Sequence, residues 1–278
     1  MKPLRVSAIS YLNTVPLMWG LEHGLAGAHF QVSYTLPSQC AASLKAGAAD
    51  IGIIPAAAYA SIPDLMVVPG VAIASVRPVR SILLVSKVPL DQIRTVALDT
   101  SSLTSVALLK VLFARWWGGA PTFSPMEPHI DQMLSTNDAG LVIGDPALRI
   151  DRSRYITYDL AEEWIRLTGK PFVFAFWAVR RESLSNLDPN VDLAAVFQQS
   201  RNEGLAPNSL HIIAKEWAPR LQLSPSQVIS YLTENIHYYL DTECIVGLQL
   251  FFQFGRDCGA LPQAPALHFV EPHHAAIS

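Results

Sequence analysis

Charge is the first scarcity in this sequence. Asp, Glu, Lys and Arg make up 15% of its 278 residues, and the formal net charge is −3. There is no basic run and no basic–aromatic stripe, so nucleic acid is not an expected partner. Cysteine is scarce as well. Cys40, Cys244 and Cys258 stand far apart, with no Cys-x-x-Cys pair, which fits reduced thiols and excludes a disulfide framework. The histidines form no His-x-x-x-His pair and no Cys/His cluster, and His273-His274 reads as a solvated terminus. A Walker loop, a Gly-x-Gly-x-x-Gly and a Gly-x-Ser-x-Gly are all missing, so neither a nucleotide cofactor nor serine-hydrolase chemistry is expected. Long hydrophobic runs are missing too: Pro, Gly or a charge interrupts each one before a membrane-spanning length. From Met1-Lys2-Pro3 the chain enters its first strand with no apolar leader, which sets the expectation of a cytoplasmic protein without a membrane partner.

Hydrophobic residues, by contrast, are half of the sequence, enough for one large domain or two lobes of ordinary size. The organising stretch is Ser10-Tyr11-Leu12-Asn13-Thr14-Val15-Pro16-Leu17. It follows the apolar run 4–9 and precedes Val15, Leu17, Met18 and Leu21, spaced as on one helix face with Gly24 as a stop. This is a strand-to-helix turn, where ligands bind in open α/β sheets and where a helix start suits an anion. The same residues also read as a simple helix cap, Asn13 or Thr14 with Pro16 in the first turn.

The chain then repeats one plan. Strand 4–9, helix 14–23, strand 30–36, helix 38–46 and strand 50–54 are followed by a short helix at 56–59 and a strand at 67–74. A second unit has strand 95–98, helix 104–117, strand 121–126, helix 129–135 and strand 140–143. The third strands of the two units end alike, in Ile54-Pro55-Ala56 and in Gly144-Asp145-Pro146-Ala147. Two β-α-β-α-β halves with strand ends facing a shared cleft are the α/β architecture this pattern implies. The apolar runs 80–87 and 171–179 are of strand length and are assigned as the two hinge strands. On that assignment residues 1–87 and 173–278 form one lobe and 88–172 the other. The remainder reads as helices at 191–202, 209–219, from Ser224-Pro225 onward, and from Asp241 to about 257. They are expected to support the lobes rather than do chemistry, and 262–278 to lie on the surface as an extended tail.

Taken together, Ser10-Tyr11-Leu12-Asn13-Thr14-Val15-Pro16, Asp50-Ile51-Gly52-Ile53-Ile54-Pro55, Arg77-Pro78-Val79-Arg80-Ser81-Ile82, Ser101-Ser102-Leu103-Thr104-Ser105 and Gly144-Asp145-Pro146-Ala147 resemble the menaquinone-biosynthesis chorismate dehydratase family. The match runs from residue 4 to about 270. The resemblance implies a two-lobe fold of the type II periplasmic-binding-protein kind. It implies loss of water from chorismate to give 3-[(1-carboxyvinyl)oxy]benzoate, the first step of the futalosine route, with no cofactor and no metal. By match to the family motifs, Asn13 and Ser81 stand nearest the chemistry, and Ser10, Tyr11, Pro55, Ser102, Thr104, Ser105 and Asp145 contact the substrate. Capping remains an alternative for Ser102, Thr104 and Ser105, and a hydroxyl satisfied on a hinge strand for Ser81. A carboxylate beside a dianion repels it by several kcal/mol, on the order of the Coulomb term at low dielectric. Asp145 is therefore read as a cap or hinge partner, with proton shuttling as the alternative. No motif supplies a base, and the substrate's own enolpyruvyl carboxylate is a reasonable one. Competing readings are a non-catalytic anion binder or sensor of the same fold and the sister enzyme of the same route. The oligomeric state is left open.

Activity is expected to survive exhaustive chelation and dialysis, because neither a metal-ligand spacing nor a nucleotide loop is present in the sequence. Loss of turnover on chelation, with recovery on adding one particular metal, is the result that overturns this.

Overall fold

A computed structural model describes residues 3–24 and 28–271. Two five-stranded mixed sheets form its frame. The first half runs β1 (Leu4–Ile9), α1 (Val15–His23), β2 (Phe30–Thr35), α2 (Pro37–Lys45), β3 (Ile51–Pro55), α3 (Ala56–Tyr59) and β4 (Leu65–Ser75). After β5 (Ile82–Ser86) the second half repeats it: β6 (Thr95–Asp99), α4 (Thr104–Leu112), β7 (Thr122–Met126), α5 (Ile130–Thr136), β8 (Ala139–Ile143), α6 (Gly144–Leu148) and β9 (Ile156–Asp159). Then come α7 (Leu160–Thr168), β10 (Phe172–Arg180), and helices α8 (Leu193–Gly204), α9 (Pro207–Leu221), α10 (Pro225–Ser230) and α11 (Thr242–Asp257).

The strand orders are β2-β1-β3-β10-β4 and β7-β6-β8-β5-β9. In each sheet the first three strands are parallel, and the fourth lies antiparallel between its neighbours. That fourth strand follows a crossing from the other lobe. β5 follows β4 of the first sheet but pairs with β8 and β9, while β10 follows the second lobe but pairs with β3 and β4. The expected domain division therefore needs one correction. Residues 82–86 belong to the second sheet rather than to a lobe spanning 1–87, and the chain crosses at 76–81 and again at 169–171. All five residues of β5 are buried, so the run has no polar face to show which sheet it joins.

Sequence explains most of the rest. β3 and β8 are covered on both faces, and both are uninterrupted apolar runs. Asp241 and Ser224 cap their helices as expected, accepting from Cys244 N and Gln227 N. The expected helix 104–117 is α4 followed by one π turn over 113–117. β9 and α7 were not anticipated, although Asp159 caps α7 from its N-cap position. Residues 262–271 run without a helix, and Phe269 bridges to Val67 on β4. The rest of the expected tail, with His273-His274, lies outside the described residues.

The helix that carries the organising turn is fixed by close packing. α1 crosses α8 where small residues meet. Ser200 Oγ donates to Leu17 O and accepts from Gly20 N, both at 2.8 Å. A Cβ on Gly204 would stand 2.0 Å from Pro16 O, which belongs to the backbone of α1. Gly204→Ala is accordingly expected to force α1 and α8 apart, at a cost of about 1–3 kcal/mol or more. The check is a melting temperature several degrees below that of the parent. An unchanged value would mean the two helices are not packed as described.

Candidate functional site

The carboxyl ends of β1 and β3 face the start of α4 and the end of β8 across the gap between the lobes. They enclose a cavity with about 460 Å³ of empty space, its mouth included. Tyr11, Asn13, Pro55, Ser102, Thr104 and Ser105 all line it. Its walls are otherwise largely apolar, with Ile9, Ile73, Ile82, Ile143 and Phe174. These come from strand ends, where buried aliphatic residues gave no hint of ligand contact. Among the described residues, no Lys or Arg lines the cavity.

The turn itself is a single 3-10 turn, Leu12–Thr14, leading into α1. No side-chain cap bond forms at either helix start, and Pro16 sits in the first turn of α1. The capping alternative for Asn13 and Thr14 therefore finds no bond to support it. The half-buried Asn13 side chain borders the cavity instead. Ser10 is the exception in this motif. It is exposed, its backbone N–H donates to Thr35 O at 3.1 Å, and it is not among the cavity-lining residues. Its position directly after β1 turns it toward the β2 side.

Three contacts close one lobe on the other here. The Tyr11 ring packs against Gly144, where φ is +63° and an added Cβ would come within 2.7 Å of the ring. The Tyr11 hydroxyl is 3.4 Å from Ser101 Oγ, and Ser101 donates from both N and Oγ to Asp99 Oδ1. Burial pushes the Asp99 carboxyl above its usual range, and its second oxygen, Oδ2, has no hydrogen-bond partner among the described residues. Sequence reasoning passed over Asp99, whose only signal is its place at a strand end. The second contact is Thr104. Its hydroxyl donates to Phe174 O at 3.1 Å and accepts from Ala57 N at 3.1 Å. A hydroxyl has one proton, so Thr104 rivets α4 to the first lobe and has none left to offer a substrate. The N-cap position of α4 is Leu103, without a side-chain cap, so Ser102 and Ser105 are not consumed as caps.

The third contact is Asp145. Its Oδ1 accepts from Leu12 N across the lobes at 3.0 Å. Asp145 is not among the cavity-lining residues, and its carboxylate meets the backbone of the Ser-Tyr-Leu-Asn turn. This is the hinge-partner arrangement. Ser81 is fully buried at the end of the first crossing and is absent from the lining as well. Its Oγ accepts from the Tyr231 hydroxyl at 2.8 Å, and its carbonyl accepts from Gly144 N at 2.7 Å.

Among the described residues, His237, Asp241 and Cys244 are the one His/Cys/carboxylate group close enough to hold a metal ion. They are four and three residues apart and hold one histidine and one cysteine, so neither a His-x-x-x-His nor a Cys-x-x-Cys spacing marks them. Asp241 already caps α11 through Oδ1 and meets His237 Nε2 through Oδ2 at 2.7 Å, and burial pushes the Cys244 thiol up to about 12. A cap and its hydrogen bond with His237 explain the cluster, and none of its members lines the cavity.

Two lobes of this topology, closed over a cavity of dipoles without cations, define a small-molecule site in the binding-protein fold. Solved structures agree on the fold. An Archaeoglobus fulgidus protein superposes with a TM-score of 0.69 at 15% identity, over 93% of this chain and 98% of that one. The periplasmic aliphatic sulphonate binding protein SsuA of Escherichia coli gives 0.62 at 15% identity, over 100% and 99%. A family model described as menaquinone biosynthesis matches residues 4–257. A chorismate dehydratase of Thermus thermophilus is 30% identical over 286 residues, 96% of this chain and 99% of the relative. The chain belongs to the menaquinone-biosynthesis family. Among the described residues, no helix is long and apolar enough to cross a membrane.

Burial raises the Asp145 carboxyl to about 6, partly offset by the Leu12 N–H and by Arg149. A folded-state value above the unfolded one means the native protein binds more protons between roughly pH 4 and 6. The neutral form's stability is present below pH 4 and lost as pH rises through 6. Asp145→Asn removes that titration and keeps an acceptor for Leu12 N. The variant is expected to match the parent's melting temperature below pH 4 and to exceed it above pH 6. A constant difference across that window would show that Asp145 does not titrate there.

Proposed function

We propose that this protein is a chorismate dehydratase that removes water from chorismate to give 3-[(1-carboxyvinyl)oxy]benzoate, without a cofactor. The observation that carries the reading is the relationship to the Thermus thermophilus enzyme over nearly the whole of both chains. The cavity supports it: a polar floor bearing Asn13, apolar walls and no charged side chain.

Chorismate carries two carboxylates, an enolpyruvyl ether and a ring hydroxyl. The ring hydrogen beside the ether oxygen is vinylogous to the ring carboxylate and hence acidic. Its removal and the departure of the hydroxyl leave an aromatic ring, so the elimination is strongly downhill. The protein has to hold two anions in one pose, stabilise the spread charge and assist a leaving hydroxyl. In the absence of Lys and Arg in the lining, dipoles do the holding. The hydroxyls of Ser102 and Ser105 and the first turn of α4 suit a carboxylate. The substrate's enolpyruvyl carboxylate takes the ring proton, since among the described residues the lining holds no Asp, Glu, His or Lys. Asn13 donates its amide to the leaving oxygen or the developing enolate and adds no charge. Ser81, fully buried directly behind the lining residues Ile82 and Gly144, supports the same end of the site from outside the cavity. Positioning of this kind supplies up to roughly 7–11 kcal/mol of a barrier in favourable cases. The apolar walls keep bulk water from weakening these dipoles.

Incubation of pure protein with chorismate, followed by chromatography and mass analysis, tests the reaction by the loss of one water. Tight binding without turnover would favour a sensor. Asn13 is tested by two substitutions. Asn13→Asp sets a negative charge against a dianion, about 4 kcal/mol at 4 Å and an effective dielectric of 20, or roughly a thousandfold in rate. Asn13→Ala removes a donor worth about 3–4 kcal/mol in the transition state. Both variants should melt within a few degrees of the parent, as neither removes a cap bond. An Asn13→Asp protein within about tenfold of the parent in kcat/KM would displace Asn13 from the chemistry.

A further inference from the structure

Helices α8 to α11 were expected to pack and support. One residue among them departs from that role. Tyr231 opens a π turn, Tyr231–Asn235, that continues α10. Such turns widen a helix by one residue and often occur where a side chain must be aimed at a functional site. The Tyr231 side chain is buried, and its hydroxyl donates to Ser81 Oγ at 2.8 Å. Tyr231 stands 150 residues beyond Ser81 in the chain. The phenol therefore touches one of the two residues that stand nearest the proposed chemistry.

The other end of the π turn is also anchored on the first crossing. Asn235 Nδ2 donates to Pro78 O at 2.9 Å, Ser75 Oγ donates to Asn235 O at 3.0 Å, and His237 bridges to Ala74. The phenol is thus held from behind by a frame attached at residues 74–81. Burial, above all, pushes its ionisation well above the ordinary tyrosine range, so it remains an O–H donor across any working pH.

We propose that Tyr231 is a positioning residue of this reaction: its phenol donates to Ser81 Oγ and so fixes the Ser81 hydroxyl, which sits directly behind the lining residues Ile82 and Gly144, in the orientation the reaction needs. A hydroxyl that accepts one bond still has its own proton to give, and accepting makes it a better donor. No proton leaves Tyr231. The inference rests on the dehydratase reading and on Ser81 as one of its working groups.

The test is a double-mutant cycle on chorismate turnover with Tyr231→Phe, Ser81→Ala and the pair, with melting temperatures beside it. Tyr231→Phe keeps the ring and removes only the donor. Its kcat is expected to fall about tenfold or more, with KM within about threefold of the parent. In the Ser81→Ala background it should cost nothing further, because the group it positions is gone. Installing 3-fluorotyrosine at 231 restores the hydroxyl and should bring kcat back to within about twofold of the parent. Should Tyr231→Phe fold poorly, that rescue variant and the Ser81→Ala protein still decide the matter. A fluorotyrosine protein that folds but stays slow refutes positioning through the hydroxyl. Parent turnover with a damaged Ser81→Ala and an unimpaired Tyr231→Phe overturns this inference alone, as do losses that simply multiply. A parent that leaves chorismate untouched, or an undiminished Ser81→Ala, overturns the underlying reading and the inference with it.

Discussion

One buried carboxylate ties together the two places where the chain passes between lobes. Asp159 ends β9, and its oxygens accept from the backbone N–H groups of Val79 and Arg80 on the first crossing and of Ala161 and Glu162 at the start of α7. α7 leads directly to the second crossing. Arg80 sits at φ +66°, a conformation that a non-glycine residue keeps only when its surroundings hold it there. Burial raises the Asp159 carboxyl despite four donors, so the ligated charge is held at some electrostatic expense. Removing the carboxylate would orphan buried amides at about 1–3 kcal/mol apiece. Ser81 is the next residue along from Arg80, which makes the geometry of the site a consequence of this junction.

The exchanged strands explain why the junction matters. Each lobe's sheet is completed by an antiparallel strand that arrives from the other lobe, so neither sheet is whole without the crossing segments. Motion about such a pair of connections is hinge-like. The contacts of Thr104, Tyr11 and Asp145 across the gap then fix a closed arrangement around the cavity. Closure by hydroxyl and backbone bonds leaves Asn13, Ser102 and Ser105 free of competing side-chain caps and turned to the enclosed space.

Architecture of this kind is shared with periplasmic binding proteins such as the sulphonate binder, and a fold alone does not fix what its cleft does. On the proposed reading, what separates the present cleft from a mere container is a set of donors whose own hydrogen bonds are arranged from behind. Asn13 follows a strand end with no capping duty, and Ser81 receives a bond from Tyr231 that leaves its proton available. In a cavity of low polarity, donors held this way need no reorganisation when charge develops. Absence of a cation fits the same logic, since a fixed positive charge would stabilise a dianionic ground state at least as well as the transition state.

Local signals in the sequence determined a good deal. Period, turn residues and caps marked most strands and helices, and the repeated β-α-β-α-β plan followed from them. The motif at residues 10–16 lies at the cavity, with Tyr11 and Asn13 in its lining, although by itself the same stretch reads as a helix cap. The features decided only in three dimensions share one physical cause: they depend on partners distant in the chain. β5 is apolar on every face, so only hydrogen bonding to β8 and β9 told which lobe owns it. Thr104 reads as a cap or ligand until Ala57 N and Phe174 O use up its hydroxyl. Ser10 looks like a member of the site until the turn leaves it exposed. Tyr231 carries no local mark at all. Its role exists only because a π turn brings one phenol against a serine 150 residues away, and no spacing rule along the chain encodes a contact made by packing.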